Sequence, residues 1–365
     1  MDNSTPPQKT PAAVIRADVR ALAAYHVPDS RGLIKLDAME NPHSLPASMR
    51  EEIARLASQA DLNRYPDAGA AALKARIREV MNVPTEIDVL LGNGSDELIQ
   101  MCALAVNRPG AALLSVEPSF VMFKMIATFT GLRYIGVPLQ DDFMLDGPGL
   151  LAATRQHQPA LVFIAYPNNP TGNLFDADAI RAVIEAAPGL VVIDEAYHPF
   201  AGSSFLPELA HYPNVLVMRT LSKLGLAGLR LGMLFGRSEW LNELDKLRLP
   251  YNVSVLTQSI AAYVLGEQAV LELQAASIRS ERARLADALA ALPGVRAFPS
   301  DANFILFAVP RADAIFAGLK QCGVLIKNLS ASHPQLIDCL RVTVGAPAEN
   351  DQFVDALRAS LLQAA

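Results

Sequence analysis

Leu190-Val-Val-Ile-Asp194 decides the fold: four consecutive apolar residues end on an acid. A strand with one face in water alternates apolar and polar residues, and this one does not. Both of its faces must therefore be covered. Its carboxylate falls at the carboxyl end, the edge where open α/β sheets place ligands. Similar runs flank it at helix-length intervals, Leu161-Val-Phe-Ile-Ala-Tyr166 before and Val215-Leu-Val-Met-Arg219 after. Upstream stand Asp88-Val-Leu-Leu91, Ala111-Ala-Leu-Leu-Ser-Val116 and Arg133-Tyr-Ile-Gly-Val137. Short apolar runs separated by helical segments predict a mostly parallel sheet covered by helices on both sides, so the fold class is α/β.

Outside that sheet the pattern changes. Ile15 to Tyr25 carries a helical apolar spacing, Gly32-Leu-Ile-Lys-Leu-Asp37 reads as extended, and Pro46 to Ala60 reads as a helix with Ile53 and Leu56 on one face. A long helical stretch is expected from about Val253 to Leu292, ended by Pro293-Gly294. The short runs Asn303-Phe-Ile-Leu-Phe307 and Leu340-Arg-Val-Thr-Val344 follow, with helical pieces between them and at the end. The expected organisation is an N-terminal arm over 1–40, a large domain over 41–255, and a smaller α+β domain over 256–365 that packs with the N-terminal segment.

With 365 residues, 51% of them hydrophobic, the chain can bury a large core. A net charge of -6 spread without runs argues against nucleic acid and for a small-molecule partner. Cys102, Cys322 and Cys339 are isolated, which suggests neither a disulfide framework nor a zinc ribbon. The polar, Pro-rich start MDNSTPPQKTP is no signal peptide, and no stretch approaches the roughly 18 apolar residues of a membrane span. The expectation is a soluble cytoplasmic protein.

Three places carry chemistry. Asp194 closes a buried strand, where a carboxylate is costly unless paired. Ser222-Lys223 follows the next strand, and Gly228-Leu-Arg230 brings a guanidinium into the same Gly-rich loop. Arg230 and the Ser222 hydroxyl suit a phosphate, and a neighbouring cation such as Arg230 would depress the lysine towards a neutral amine. Gly92-Asn-Gly-Ser95 before a helix offers free backbone N–H groups to an anion. It is not a dinucleotide fingerprint, because Glu97 stands where the third glycine belongs. Each feature alone also admits a plainer reading, as a helix-capping acid, a solvated lysine or a capped turn. Together they meet the needs of a phosphate-bearing pyridine cofactor held on a lysine, with a carboxylate to keep the ring nitrogen protonated. Glu-x-x-His occurs twice, at Glu40 to His43 and Glu195 to His198, but Pro42 and Pro199 and the neighbouring strands argue against a di-metal helix site, so no metal is expected.

Tyr166-Pro-Asn-Asn-Pro-Thr-Gly172, Asp194-Glu-Ala-Tyr197, and Arg219-Thr-Leu-Ser-Lys223 with Ala227-Gly-Leu-Arg230 resemble, in order and spacing, the signature of fold-type I aminotransferases that use pyridoxal 5'-phosphate. Leu36-Asp-Ala-Met-Glu-Asn-Pro42, Arg64-Tyr-Pro66, Gly92-Asn-Gly-Ser-Asp-Glu97 and Arg341-Val-Thr-Val-Gly345 resemble further blocks of the histidinol-phosphate aminotransferase family within it. The resemblance spans roughly residues 15 to 360 and implies a large domain with a mostly parallel seven-stranded sheet, plus the smaller α+β domain.

The resemblance also implies residue roles. Lys223 would be the Schiff-base lysine and the acid–base group, Asp194 the partner of the pyridine nitrogen, and Asn169 and Tyr197 the contacts of the phenolate oxygen. Ser95, the backbone near Asp96 and Glu97, Ser222 and Arg230 would hold the cofactor phosphate, with Tyr65 reaching in from the other subunit of a homodimer with shared active sites. Arg341 would bind the substrate's acidic group, while Tyr25, in an arm Val19 to Tyr25, and Asn41 would add contacts. Phe120 stands where many relatives stack a tyrosine on the ring, and can stack but not donate a hydrogen bond. Lys327 stands where the family often has a second phosphate-binding arginine, and supplies charge without the fork. The implied reaction is transamination between histidinol phosphate and 2-oxoglutarate in histidine synthesis. Its rivals are a decarboxylase similar to threonine-phosphate decarboxylase, a broad aromatic aminotransferase, and a regulator with an aminotransferase-like domain, for which the short N-terminus leaves no DNA-binding region.

Overall fold

The computed structural model of the chain describes residues 9–24 and 27–364. Seven strands form the main sheet: β1 (Asp88–Asn93), β2 (Ala112–Glu117), β3 (Arg133–Pro138), β4 (Leu161–Ala165), β5 (Leu190–Asp194), β6 (Val215–Thr220) and β7 (Leu231–Gly236). Their order is β1-β7-β6-β5-β4-β2-β3. β7 runs antiparallel to β1 and β6, and every other pairing is parallel.

Successive residues of the central strands point into different cores. Val162, Ile164, Val191 and Ile193 join one buried cluster, while Leu161, Phe163, Leu190 and Val192 join another. Both faces are covered, which is why these strands are apolar throughout. The chain steps from β2 outward to β3, then returns to the other side of β2 for β4 and continues through β5 to β6. The switch point therefore lies between β2 and β4, and their carboxyl ends open the crevice in which such sheets bind ligands.

The strand β7 escapes a reading by strand and helix alternation, because Leu-Gly-Met-Leu-Phe-Gly follows β6 after only a short Gly-rich loop. Every one of its residues is buried. The expected long helix is two, Val255–Gly266 and Gln268–Ala290. Ser254 caps the first by accepting from the Thr257 N–H at 3.1 Å, and Gly266, a poor helix former, ends it. Along the second helix, Leu271 belongs to the core under the main sheet, whereas Ala275, Ile278, Leu285 and Leu289 belong to a separate core.

That separate core underlies a four-stranded antiparallel sheet, with β8 (Arg296–Ala297), β9 (Phe304–Ala308), β10 (Lys327–Asn328) and β11 (Cys339–Thr343) in the order β10-β11-β9-β8. Leu36 and Met39 pack into it, and Ile34–Lys35 pairs in parallel with Val324–Leu325. The helix expected over Ile15 to Tyr25 is reduced to the single turns Pro11–Val14 and Ala17–Arg20, neither of which buries a residue. A short amphipathic segment without a covered face gains too little to stay helical. It is tied down instead by Arg16, which donates to the Thr128 and Phe129 carbonyls at 3.0 and 3.1 Å. Tyr25 lies outside the described residues.

Candidate active site

Two cavities meet at the carboxyl ends of β2, β4 and β5 and share Met39, Phe120 and Asn169. The first, of about 250 Å³, is lined by Lys223, Asp194, Tyr197, Ser95, Ser222 and Arg230 among others. The second, of about 330 Å³, is lined by Arg341, Lys327, Lys124, Glu117 and His333 among others.

Lys223 lies in the single turn Ser222–Leu224 directly after β6. Its Nζ donates to the Ala38 carbonyl at 3.2 Å and lies 5.8 Å from the centre of the Tyr197 ring. Burial, and after it the Arg341 charge, pushes the amine down to about 8. At pH 7 roughly a tenth of it is then neutral, against about one part in three thousand for an ordinary lysine. The second cause is Arg341 from the smaller sheet rather than the expected Arg230, whose guanidinium is half exposed.

Asp194 is 5% exposed, and its Oδ1 accepts from the Ala196 N–H at 3.0 Å. Burial pushes its carboxyl up to about 7, and the negative charges of Asp96 and Glu195 push the same way. A buried acid in that state calls for a buried cation beside it. A protonated pyridine nitrogen meets that demand.

The phosphate end of the first cavity is built at a helix N-terminus. The helix α1 (Ser95–Val106) opens after Gly94, whose φ of +81° suits a residue without Cβ. A side chain there would also collide with the Arg230 guanidinium, so glycine is what lets Arg230 lie across the first turn of α1. Arg230 Nη2 stands 3.5 Å from Asp96 Oδ2, and Ser222 Oγ is 2.9 Å from Thr220 Oγ1. Free N–H groups, a guanidinium and hydroxyls converge here, a donor set that fits a phosphate. Thr220, which lines the cavity, is absent from the sequence expectations although it lies inside the Arg219-Thr-Leu-Ser-Lys223 motif.

A hydrogen-bonded chain links the two cavities. Arg341 donates through Nη1 to Asn169 Oδ1, and Asn169 Nδ2 donates to the Tyr197 hydroxyl at 3.0 Å. Arg341 Nη2 donates to the Asp37 carbonyl at 3.1 Å, and its guanidinium lies 5.2 Å from the Phe304 ring centre. Tyr197 meets the same ring edge-on at 5.1 Å. Lys327 and Arg341 are register partners on β10 and β11.

Other expected site residues are placed elsewhere. The Glu97 carboxylate accepts from the Asn93 N–H at 2.6 Å and from Asn252 Nδ2 at 2.7 Å, closing the loop, and its side chain lines neither cavity. Asn41 donates to Gln274 Oε1 at 3.0 Å and accepts from the His43 N–H at 2.8 Å, and it lines neither cavity. Tyr65 is 79% exposed and stacks on Tyr251 at 4.3 Å, outside both cavities of this chain. Glu195, weighed with His198 as a ligand pair, is committed to Arg219 at 2.9 Å, to Ser204 Oγ at 2.9 Å and to the Phe205 N–H at 2.6 Å. Burial, and then the Arg219 charge, pushes His198 down to about 3. Among the described residues, no helix is long and apolar enough to cross a membrane.

The family model for aminotransferases of class I and II matches residues 31–357. Histidinol-phosphate aminotransferase 1 of Ralstonia nicotianae is 55% identical over 95% of this chain and 94% of its own length. Histidinol-phosphate aminotransferase 2 of Cupriavidus pinatubonensis is 56% identical over 95% of this chain and 96% of its own. The crystal structure of histidinol-phosphate aminotransferase from Sinorhizobium meliloti in complex with pyridoxal-5'-phosphate superposes with a TM-score of 0.86 at 26% identity, covering 97% of this chain and 99% of that one. With that coverage at both levels, the chain belongs to the class I and II aminotransferases and, within them, to the histidinol-phosphate aminotransferase family.

Proposed function

We propose that the chain uses pyridoxal 5'-phosphate to move an amino group between L-histidinol phosphate and 2-oxoglutarate, giving imidazole-acetol phosphate and glutamate, with histidine synthesis as the physiological direction. One observation carries the reading: the cavity of Lys223 and Asp194 adjoins a second one whose charged lining is Lys124, Lys327, Arg341 and Glu117. Three cations against one carboxylate leave that second cavity with two positive charges in excess, a match for a phosphate monoester of about −1.5 to −2. The same excess suits the carboxylates of glutamate.

The cofactor, when bound, supplies an aldehyde carbon for an amine to condense with and a ring that withdraws electrons from the carbon being deprotonated. The protein supplies the rest. Lys223, poised near neutrality, takes a proton from the substrate carbon and returns it. Asp194 holds the opposite charge at the ring nitrogen, and Asn169 and Tyr197 present polar groups on the other side of the site. Ser95, Ser222 and Arg230 would hold the phosphate, and Phe120, from the wall of the same cavity, would offer an apolar surface to the ring. Arg341, with Lys327 beside it, orients the substrate through its anion. We further propose a homodimer in which the exposed Tyr65 of each protomer completes the phosphate site of its partner.

A half-reaction tests this. Histidinol phosphate added without an oxo acid should shift the visible absorption of the bound cofactor, and 2-oxoglutarate should restore it. Release of carbon dioxide from phosphothreonine without any oxo acid, or faster turnover of phenylalanine than of histidinol phosphate, would overturn the assignment.

A further inference from the structure

Arg341 and Lys327 leave part of the second cavity unexplained. On other elements, Glu117 at the end of β2 and His333 in the loop after β10 face the same space. Phe120, Pro118, Leu329 and Leu336 supply apolar wall. Neither Glu117 nor His333 lines the cavity of Lys223.

Both polar groups are fixed. Glu117 is register-paired with Pro138 across β2 and β3, and its side chain lies over Gly136, where any Cβ would collide with the carboxyl group. Lys124 Nζ reaches Glu117 Oε1 at 3.0 Å. His333 Nδ1 accepts from the Gln335 N–H at 3.2 Å, which puts the hydrogen of the neutral ring on Nε2. The loop is pinned by Gln335 Nε2, which donates to the Leu139 carbonyl at 2.8 Å, and by the buried Leu336. Glu117, Lys124 and His333 line the same cavity.

We infer that Glu117 and His333 read the substrate's ring, Glu117 accepting from a ring N–H and His333 Nε2–H donating to a ring nitrogen, and so set which phosphate ester the enzyme takes. This rests on the proposed substrate, because the ligand must carry a heteroaromatic ring with one donor and one acceptor at the end away from its phosphate. An apolar slot with one fixed acceptor and one fixed donor discriminates against a ring lacking either, since the buried partner is then left unpaired.

The test is calorimetric titration of the holoenzyme with the des-amino analogue of histidinol phosphate, which cannot react, and with the same analogue methylated on its ring N–H. Wild type should bind the methylated form about 10- to 100-fold more weakly, the effect of one lost buried hydrogen bond. Glu117→Leu and His333→Leu should each weaken binding of the unmethylated form, and Glu117→Leu should narrow the discrimination to within about threefold. Glu117→Met and His333→Phe, which also lack the acceptor and the donor, serve where a leucine variant does not fold. Full discrimination in the Glu117 variants, or equal binding of both analogues by wild type, overturns the ring assignment alone. Binding of the analogue no tighter than of inorganic phosphate overturns the substrate reading and this inference with it.

Discussion

Asp194→Asn in the cofactor-free protein should raise stability, and the gain should depend on pH in a direction the burial dictates. The wild-type carboxyl is held at about 7 in the folded chain against an ordinary 3.8. The folded state therefore keeps a proton that the unfolded chain has released. Stability is full below 3.8, falls as the pH rises between 3.8 and about 7, and levels off above. That gap, at about 1.4 kcal/mol per pH unit, gives a cost of about 4 kcal/mol at pH 8 and about two-fifths of it by pH 5. Asparagine fills the same volume and carries no charge, so its advantage over wild type should grow by about 2 to 3 kcal/mol between pH 5 and pH 8. Urea unfolding of both cofactor-free proteins at the two pH values measures it. With pyridoxal phosphate bound, the order should reverse at pH 8, because the carboxylate then has a cation and the amide cannot serve it. An advantage of equal size at both pH values in the cofactor-free state would refute the reasoning, since the buried acid would not then be the group that titrates.

Lys223→Ala should lower the rate of the half-reaction by about a thousandfold or more, the scale of a lost general acid–base group, while phosphate binding by Ser95 and Arg230 persists; stopped-flow absorption and cofactor titration separate the two. Gly94→Ala forces a side chain into a +81° backbone and against the Arg230 guanidinium, so cofactor affinity should fall about tenfold or more by equilibrium dialysis while the far-ultraviolet dichroism stays unchanged. Arg219→Met should cost about 3–5 kcal/mol in urea unfolding, because Glu195 at 1% exposure loses its buried partner, and adding Glu195→Leu should recover part of that loss. If the double variant is no more stable than the single one, the pair is not what burial makes it.

The sheet was legible because its strands are buried on both faces: a run such as Leu190-Val-Val-Ile-Asp194 has no polar residue to hide its extent. β7 was not, because its antiparallel return needs no intervening helix and so breaks the alternation on which the reading depends. The break at Gly266 between two helices was equally hidden, since apolar spacing continues across it. Of the site, order along the chain located Asn169, Asp194, Tyr197, Lys223 and Arg230, all of which line the first cavity. It does not say where the side chains of Glu97 and Asn41 point, and both turn into the loops that carry them, because loop direction is set by backbone angles that a motif does not state. It also named the wrong cation for Lys223: Arg230 is seven positions away but half exposed, whereas Arg341 comes from the smaller sheet and is buried.

A transaminase must admit two substrates in turn to one reactive carbon, and on the proposed assignment the linkage through Asn169 is where this chain would reconcile them. An amide presents an acceptor on one side and donors on the other, and here the acceptor faces a guanidinium and a donor faces the Tyr197 hydroxyl. Turning the amide over would set N–H against N–H at Arg341, so its orientation is fixed by the arginine. Arg341 thereby does two things from one position: it presents charge to whatever anion occupies the second cavity, and it holds the polar group that faces the cofactor cavity. Its charge also helps keep Lys223 near neutrality. Each substrate has an anion and each has a reacting carbon, but only one has a ring. On the proposed assignment, what the two share would be handled by the buried residues Arg341, Asn169 and Tyr197, and what distinguishes them would fall to Glu117 and His333 in the second cavity. Contacts common to both substrates set the chemistry, and specificity resides where the substrates differ.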